Sequence, residues 1–404
     1  MLQFDKLAVD KRQIVQRACS FLFSPEKAAN THFLNNLCKS DVKTAFRMKA
    51  KMYHPDLHRQ DKCEMLLRRQ ERFLRIQNSY ETLVGIFPKE EKVTTWKHKV
   101  KMKKIIAVGG AKGGIGKSVF AANLGVVLSG MGKKTVVADF DLGGANLHLY
   151  LGQTRIKKNI NDYLNKKVNK IEDVLIQSSH GPIILGGDSS RLGAANIHFA
   201  KKIKLIKAIQ SIEADYVIID LGGDTSFNMI DFFNMADVKI VMTTCEPASY
   251  LDAYNFIKVA LHRKLTRIFS SESDITDQKD GKLEQLIRDS LLLNAEKKFT
   301  INDLMKKVAS EYPDKKAMLN SCLNQYNPTL LINKSNETSE AAGVAKRVKE
   351  VAAKMLSINV NVVAPVLFNK KTEESTKELV PVTVKYVDGY MANRIKEFVK
   401  NTVI

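Results

Sequence analysis

The feature that most constrains this chain is a glycine-rich loop with two lysines, at residues 108–118 (VGGAKGGIGKS). The loop follows the apolar run 105–108 and precedes a helical pattern over 119–128. A strand, a glycine-rich loop and a helix in this order are typical of a phosphate-binding loop, in which backbone N–H groups and the helix N-terminus face one anion. A glycine-rich turn with solvated lysines is the alternative, and it fits this context poorly.

The loop predicts that a nucleotide polyphosphate binds here together with Mg²⁺. Lys117 would reach the β- and γ-phosphates, and the Ser118 hydroxyl would bind Mg²⁺. The nucleotide-binding residues predicted in the loop and the first helical turn are Gly113, Gly114, Ile115, Gly116, Lys117, Ser118 and Val119.

A second lysine, Lys112, lies inside the loop, where an ordinary phosphate loop does not require one. With it, the loop resembles the deviant Walker A motif, K-G-G-x-G-K-[ST], of the MinD/ParA class of ATPases. The resemblance implies that Lys112 is catalytic, because in that class it crosses a dimer interface and contacts the phosphates held by the partner subunit. The active form would be a homodimer that sandwiches ATP. A cation supplied in this way stabilises charge on the transferring phosphoryl group, as an arginine finger does.

Carboxylates follow two apolar runs in the chain. Residues 134–138 predict a buried strand that ends in Asp139-Phe140-Asp141, and residues 215–220 predict another that ends in Asp220. Carboxylates at the C-terminal ends of strands lie where open α/β sheets bind ligands. Asp220 fits a Walker B pattern and would bind Mg²⁺ through water. Asp224, which follows the glycine pair 222–223, is the predicted N-cap of the next helix. The MinD-class resemblance implies that Asp141 orients the attacking water and that Asp139 helps to hold the Mg²⁺ shell; the alternative for either residue alone is to cap the next turn.

Later segments extend the resemblance. A predicted strand at 238–244 is followed by CEPASYLDAY at 245–254, which is similar to the T-P-E-P-T-S-x-x-D-A-Y signature of FlhG-type proteins, the flagellar-number branch of the class. Strands are also predicted at 329–334 and 360–367, and the resemblance implies that Asn333 hydrogen-bonds the adenine edge. Phe368-Asn369-Lys370 stands where relatives carry a Pro-x-Asp turn.

The first part of the chain predicts a small helical module. A helix over 40–53, capped by Ser40 or Asp41, and a longer helical pattern over 62–84 flank the tripeptide His54-Pro55-Asp56. This arrangement resembles a J-domain over roughly residues 26–86. The resemblance implies that His54, Pro55 and Asp56 bind a DnaK-type chaperone. The alternative is a helical hairpin in which the tripeptide is only a turn and the lysines form a solvated face.

The predicted organisation has three parts. Residues 1–86 form the all-α, J-domain-like module, residues 87–102 a polar linker, and residues 103–404 a mostly parallel α/β ATPase of MinD/ParA type with a helical insertion at about 263–327. The N-terminal residues lack a secretory signal pattern and the five cysteines are scattered, which predicts reduced thiols and a cytoplasmic location.

Charge and the last helix raise the question of partners. The net charge is +21, and residues 1–104 carry 23 Lys and Arg against 11 Asp and Glu, which favours an acidic partner. The segment 390–404 predicts an amphipathic helix. It could contact anionic lipid at the inner face of the cell membrane, or pack on the sheet.

Three functions follow from these patterns. The first is an FlhG-like ATP-dependent dimerisation switch, a slow and partner-stimulated ATPase that positions or counts a cellular structure, such as the flagellum, with an FlhF-like or other polar partner. The second is a ParA-type partition ATPase that binds DNA without sequence specificity. The third is a co-chaperone adaptor for a DnaK-type chaperone.

Overall fold

The structure is a computed structural model. It describes residues 4–53, 103–141, 144–187, 197, 199–270, 280–297 and 300–403, together with residues 72, 75–76, 78–80, 82–84 and 86–87. The chain divides into two compact units, Met1–Lys99 and Val100–Ile404, which we call the N-terminal and the C-terminal unit.

The described secondary structure of the N-terminal unit is entirely helical. Its helices are α1 (Val9–Leu22), α2 (Pro25–Ala29), α3 (Thr31–Asn36) and α4 (Lys39–Tyr53), and the described residues between 72 and 86 are also helical. Val42 of α4 lies in one buried core with Ile76 and Leu83, and the rings of Phe46 and Tyr80 stack with centroids 4.3 Å apart. The helix predicted before residues 54–56 therefore packs against the one predicted after them.

Helix α4 begins one residue earlier than the sequence predicts. Ser40 and Asp41, the two predicted caps, both lie in its first turn. The Asp41 carboxylate accepts a hydrogen bond from the Cys38 backbone N–H at 3.0 Å. Asp41 therefore supports the entry to the helix from within the first turn, where a negative charge is also favoured by the helix dipole.

The C-terminal unit is built on a sheet of nine strands among its described residues. They are β1 (Lys104–Gly109), β2 (Thr135–Phe140), β3 (Leu175–Gln177), β4 (Ile183–Leu185), β5 (Tyr216–Leu221), β6 (Val238–Thr243), β7 (Thr329–Ser335), β8 (Asn361–Val362) and β9 (Val366–Leu367). The order is β3-β4-β2-β5-β1-β6-β7-β8, and β9 also pairs with β7. The pairing of β3 with β4 is antiparallel and the other described pairings are parallel. The predicted mostly parallel α/β sheet is confirmed.

Helices cover both faces of this sheet. They are α5 (Lys117–Gly130), α6 (Ile160–Leu164), α7 (Phe199–Ser211), α8 (Phe227–Asn234), α9 (Pro247–Phe269), α10 (Gly281–Lys297), α11 (Ile301–Glu311), α12 (Pro313–Asn324), α13 (Thr338–Leu356), α14 (Lys370–Lys377), α15 (Val382–Lys385) and α16 (Tyr390–Phe398). Strand β1 shows why two layers are needed. Ile105 and Ala107 enter one hydrophobic core, whereas Ile106 and Val108 enter the other, because side chains alternate along a strand.

Two predictions about local structure were wrong. The single strand predicted over 360–367 is two short strands, β8 and β9; Pro365 lies between them and cannot donate a ladder hydrogen bond. The other prediction concerns the N-cap of α8, which the sequence context assigns to Asp224. Ser226 is the cap, and its hydroxyl accepts from the Met229 N–H, while Asp224 accepts from the Ser226 N–H.

The last helix is packed into the core. Met391, Ile395 and Phe398 are buried, and the Phe398 ring meets Phe120 of α5 edge-on with centroids 5.6 Å apart. Of the two alternatives for this segment, the structure favours packing on the sheet layer over a surface-seeking helix. Among the described residues, no helix combines the length and apolar character needed to cross a membrane.

Candidate functional site

The central strands bring the predicted loop and carboxylates to one edge of the sheet. Strand β5 lies between β1 and β2, and in the parallel register Asp220 pairs with Asp139 on one side and Val108 on the other. The loop after β1 starts at this edge. A ligand site at the C-terminal ends of parallel strands follows from this topology.

The loop itself has the conformation that its glycines permit. Gly114 and Gly116 have φ of 74° and 96°, values that side chains with a Cβ rarely adopt. A Cβ on Gly116 would also overlap the Asn333 amide. Within the described part of the chain, no hydrogen bond of normal geometry engages the N–H groups of residues 113–116. They are therefore available to an anion at the N-terminus of α5.

The two strand carboxylates are both buried. The Asp139 carboxylate accepts hydrogen bonds from the N–H groups of Asp141 and Leu147, at 3.1 and 2.9 Å. Burial raises the pKa of Asp139 to about 7, and these hydrogen bonds oppose the rise only in part. The surroundings of Asp139 therefore favour its protonated form more than those of an ordinary carboxyl group do.

The burial of Asp220 is offset by fewer hydrogen bonds than the burial of Asp139. Burial raises its pKa well above the ordinary value, and the Asp139 carboxyl raises it further. The Ser118 hydroxyl and the Lys117 ammonium act in the opposite direction, but among the described residues no hydrogen bond of normal geometry reaches either oxygen of Asp220. Buried polar groups normally have a partner, so this carboxyl is suited to an added cation.

The side chain of Lys117 lies inside the loop, and its ammonium is hydrogen-bonded to a backbone carbonyl. Its Nζ donates to the Lys112 carbonyl at 2.9 Å, and the side chain is buried. Burial lowers the pKa of Lys117, and the negative charges of Asp220 and Asp141 partly offset this effect. A phosphate beside it would favour the charged ammonium.

Lys112 lies at the surface of the same loop. Its Nζ donates to Glu246 Oε2 at 2.5 Å, and the two side chains are 36% and 68% exposed. The hydrogen bond from Lys112 and its charge lower the pKa of Glu246. Glu246 belongs to the 245–254 signature, which therefore contacts the phosphate loop through this pair.

The turn after β5 lies against the loop. A Cβ on Gly223 would come 3.1 Å from the Gly113 nitrogen, and one on Gly222 would come 3.2 Å from Asp141 Oδ1. Asp141 Oδ1 also accepts from the Gly144 N–H at 3.1 Å. Asp141 is thus held between the segment after β2 and the turn after β5.

A cavity of about 590 Å³ opens beside these groups. Its wall includes residues of the loop and the start of α5, namely Gly113, Gly114, Gly116, Lys117, Ser118 and Val119, together with Asp141, Asn333, Phe368, Asn369, Thr372 and Glu373. The Asn333 Nδ2 donates to the Ile115 carbonyl at 2.8 Å, so Asn333 lies against the loop. A cavity lined by such a loop and by both polar and apolar side chains is suited to a nucleotide.

Comparison with known proteins identifies this arrangement. Residues 101–270 match the ParA family model, described as NUBPL iron-transfer P-loop NTPase. Residues 101–270 form a P-loop NTPase domain of the ParA/MinD class. Relatives of this domain include the flagellum site-determining protein YlxH of Helicobacter pylori, 29% identical over 44% of this chain and 60% of its own length. The antiactivator FleN of Pseudomonas aeruginosa is 29% identical over 38% of this chain and 55% of its own length.

The NTPase domain also has the fold of solved relatives. The septum site-determining protein MinD of Pyrococcus horikoshii, solved as a complex with Mg-ADP, matches 74% of this chain and 97% of its own with a TM-score of 0.50 at 19% identity. A ParA-family ATPase of Chlorobium tepidum matches with the same TM-score at 15% identity. The chain spans about 60% or less of the length of YlxH and FleN.

Most residues predicted for the NTPase site lie at one place. Asp139 and Asp220 are buried behind the cavity wall, Ile115 is buried in the core, and Lys112 lies outside the cavity on Glu246. The remaining predicted residues line the cavity. His54, Pro55 and Asp56, predicted for chaperone binding, lie outside the described residues.

The sequence prediction missed part of the NTPase cavity. Tyr150 and three residues of α14, Thr372, Glu373 and Thr376, also line it. These residues follow no motif, and α14 reaches the site only through the fold. The one available signal is Phe368-Asn369-Lys370, which departs from the pattern of the class, and Phe368 and Asn369 do line the cavity.

Proposed function

We propose that this chain is an ATP-dependent dimerisation switch, a slow ATPase stimulated by partners, that controls the position or number of a cellular structure. The observation that carries the proposal is the free N–H groups of the phosphate loop beside the buried carboxyl of Asp220, which has no hydrogen-bond partner among the described residues. An anion and a cation are both needed to satisfy these groups, and magnesium nucleotide supplies both.

The side chains at this edge fit the metal as well as the nucleotide. Hydroxyl and carboxylate oxygens are the ligands that Mg²⁺ prefers. Ser118, Asp139 and Asp220 would hold the ion, and the backbone of residues 113–119 would hold the phosphates. When bound, Mg²⁺ would neutralise phosphate charge. Asn333 uses its Nδ2 on the loop, so its Oδ1 is the atom left to accept from the adenine amino group.

In this proposal Asp141 orients the attacking water and Lys117 binds the phosphates. Asp141 lines the cavity close to the turn after β5. Asp141→Ala should bind ATP, fail to hydrolyse it and remain a dimer. Asp388→Ala, at a carboxylate that is 91% exposed, is the matched control. Phosphate release at the wild-type rate in Asp141→Ala would exclude this assignment.

Lys112 would complete the site of a second subunit. Its pairing with Glu246 is at the surface, and pairs of this kind contribute little stability, so the ammonium can leave Glu246 for a phosphate across the dimer interface. Lys112→Ala should keep ATP binding but lose dimerisation and hydrolysis, measured by sedimentation velocity with ATP. Glu246→Gln is the control that should still dimerise. An unchanged ATP-dependent dimer in Lys112→Ala would remove the role.

The positioning function rests on the likeness to YlxH and FleN. We expect the ATP-bound dimer to present a surface to partners, among them an FlhF-like or other polar protein. Pull-down from cells should capture partners with Asp141→Ala and not with Lys112→Ala. The same set of proteins on both baits would exclude a dimer-dependent output.

The N-terminal unit is proposed to recruit a DnaK-type chaperone. Its two packed helices flank residues 54–56 in the sequence, and Lys43 and Arg47 of α4 are exposed. Charge on such a face would add mainly association rate to docking on an acidic surface. The full chain should stimulate the ATPase of DnaK, and His54→Gln should not. Equal stimulation by both proteins would refute the chaperone role.

A ParA-type contact with DNA is the second candidate, favoured by one basic surface. Exposed lysines of the segment after α6 lie beside those of α7, because Lys201 Nζ donates to Asn165 Oδ1 at 2.8 Å. The exposed members are Lys166, Lys167, Lys170, Lys201 and Lys207. Phosphate contacts of this kind make affinity fall steeply with salt. ATP-dependent, salt-sensitive binding of a labelled duplex should weaken in Lys170→Glu/Lys207→Glu and not in Lys349→Glu/Lys354→Glu.

A further inference from the structure

Two neighbouring side chains of β7 hold two neighbouring carbonyls of the phosphate loop. Asn333 Nδ2 donates to the Ile115 carbonyl at 2.8 Å, and Lys334 Nζ donates to the Gly114 carbonyl at 3.0 Å. The family resemblance gives Asn333 a base contact and gives Lys334 no role. Lys334 nevertheless lines the cavity and touches the loop directly.

Consecutive residues of a regular strand cannot make such a pair of contacts, because their side chains point to opposite faces. Lys334 departs from the strand conformation, with φ of 56°. The register between β7 and β9 also shifts between Asn333 and Ser335. A bulge of this kind re-aims a side chain. Here it brings Lys334 to the same loop as Asn333.

The left-handed conformation of Lys334 is disfavoured for a residue with a Cβ. Strain of this kind persists where the surrounding structure enforces it, and it often serves a functional site. In this conformation the Lys334 ammonium reaches the Gly114 carbonyl of the phosphate loop.

Peptide geometry shows what the two contacts do to the loop. In a trans peptide the C=O and the following N–H lie on opposite sides. Holding the carbonyls of Gly114 and Ile115 on β7 therefore turns the N–H groups of Ile115 and Gly116 away from β7. Within the described residues, no hydrogen bond of normal geometry engages those N–H groups.

We propose that Asn333 and Lys334 form a clamp that orients these two N–H groups toward the phosphates of a nucleotide, with Lys334 acting as a positioning residue. The clamp rests on the proposed function, because it presumes that the loop binds a nucleotide. It deepens that function by adding a residue that acts through the loop backbone and selects for the polyphosphate.

The test separates nucleotide affinity from fold stability. Lys334→Gly removes the ammonium and suits the left-handed backbone. It should weaken mant-ADP binding by about tenfold, as expected for one hydrogen bond made by a charged group, without lowering the melting temperature of the nucleotide-free protein. Ser357→Gly is the matched control, since Ser357 has φ of 55° at the end of α13. It should leave mant-ADP affinity unchanged.

Two further variants test whether the loss of mant-ADP affinity is caused by the missing ammonium. Lys334→Arg keeps a cation of sufficient reach and should bind mant-ADP nearly as the wild type does. Lys334→Asn tolerates the backbone but is too short, and should bind as weakly as Lys334→Gly. In competition experiments, the loss should be larger for ADP than for AMP.

Wild-type affinity in Lys334→Gly or in Lys334→Asn, or a loss of affinity in Lys334→Arg equal to theirs, would overturn the clamp. So would an equal loss for AMP and ADP, or a loss accompanied by a lower melting temperature. Absence of mant-ADP binding in the wild type would instead refute the nucleotide site itself.

Discussion

The carboxyl of Asp220 offers the sharpest prediction, because the same side chain should weaken the nucleotide-free fold and be needed by the ligand. It is buried, it lies next to Asp139 in register, and no hydrogen bond of normal geometry reaches it from the described residues. Asp220→Asn removes the charge and keeps the shape. We expect the variant to be more stable than the wild type at pH 8 without nucleotide.

The direction of the pKa shift gives the sign of the effect. Burial raises the pKa of Asp220 well above the ordinary value of 3.8, so ionisation of this carboxyl costs the folded protein free energy. The amide remains buried and unpaired, which retains part of the cost, so a gain of about 2 kcal/mol in the free energy of unfolding is expected, within the range for buried groups that lack a partner. That gain corresponds to a rise of about 5 °C in melting temperature.

The pH dependence provides the internal control. A carboxyl whose folded pKa lies above its unfolded pKa binds more protons when folded, so stability falls as pH rises from the unfolded value toward the folded one. For Asp139 that window runs from 3.8 to about 7, and for Asp220 it begins at the same value. The advantage of Asp220→Asn should therefore be largest at pH 8 and nearly absent at about pH 4.

Thermal denaturation of both proteins at the two pH values, with and without Mg-ADP, measures all of these effects. The wild type should gain about 2.7 kcal/mol when Mg-ADP is present at a hundred times its dissociation constant, and the variant should lose most of that gain. A nucleotide-free variant that melts below the wild type at pH 8, or an advantage that is the same at both pH values, would refute the reasoning.

Three more predictions concern other parts of the NTPase domain. Asp231→Asn should lower the free energy of unfolding by about 3 kcal/mol, because it leaves two buried basic side chains of α7 and α9 without their carboxylate; urea denaturation measures this. Phe398→Ala should cost about 3 kcal/mol by the same assay, since the ring is buried against α5. Gly116→Ala should abolish mant-ADP binding, because its Cβ would overlap the Asn333 amide.

Matched variants separate these effects from general damage. Glu350→Gln and Leu251→Ala change an exposed carboxylate and an exposed apolar side chain, and each should alter stability by less than about 0.5 kcal/mol. Gly132→Ala introduces a Cβ at φ of 73° in open space, so it should lower stability and spare nucleotide binding. Equal losses in a variant and its control would contradict the prediction concerned.

The buried ion pairs around Asp231 also determine whether stability rises or falls with pH. Burial opposes ionisation of this carboxyl, but hydrogen bonds from Arg263 and Lys202 outweigh it and lower the pKa of Asp231. Its contribution to stability is therefore present at neutral pH and lost as pH falls below the ordinary carboxyl range. The trend is opposite to that of Asp139 and Asp220, so comparison of the single variants distinguishes the two carboxyl classes.

Where the chemistry is encoded locally, the sequence predicted which side chains meet at one edge of the sheet. The loop at 108–118 has a fixed spacing, and the apolar runs before Asp139 and Asp220 mark strands whose ends meet at one sheet edge. The order of β2, β5 and β1 in the sheet was not needed to place these side chains, because parallel strands of an α/β sheet end on the same side.

Other parts of the site depend on tertiary structure. Thr372 and Glu373 reach the cavity because α14 follows a strand broken at Pro365, and no periodicity reports that position. Nothing in the sequence distinguishes Lys334 from an ordinary strand residue. In a regular strand its side chain would point to the face opposite that of Asn333. Only the left-handed backbone and the register shift bring both side chains to the loop.

In the proposed switch, these features would supply the free-energy difference between the nucleotide-free and nucleotide-bound states. A ligand shifts an equilibrium only by interactions that differ between the two states. Without nucleotide, burial raises the pKa values of Asp139 and Asp220 and lowers that of Lys117, so each group is held where its charge is disfavoured. Magnesium and phosphate bring the missing opposite charges to all three. The groups whose charges respond to nucleotide therefore lie together at this edge of the sheet. The turn at Gly222 and Gly223 contacts both Asp141 and the loop, so we expect it to transmit the change toward α8.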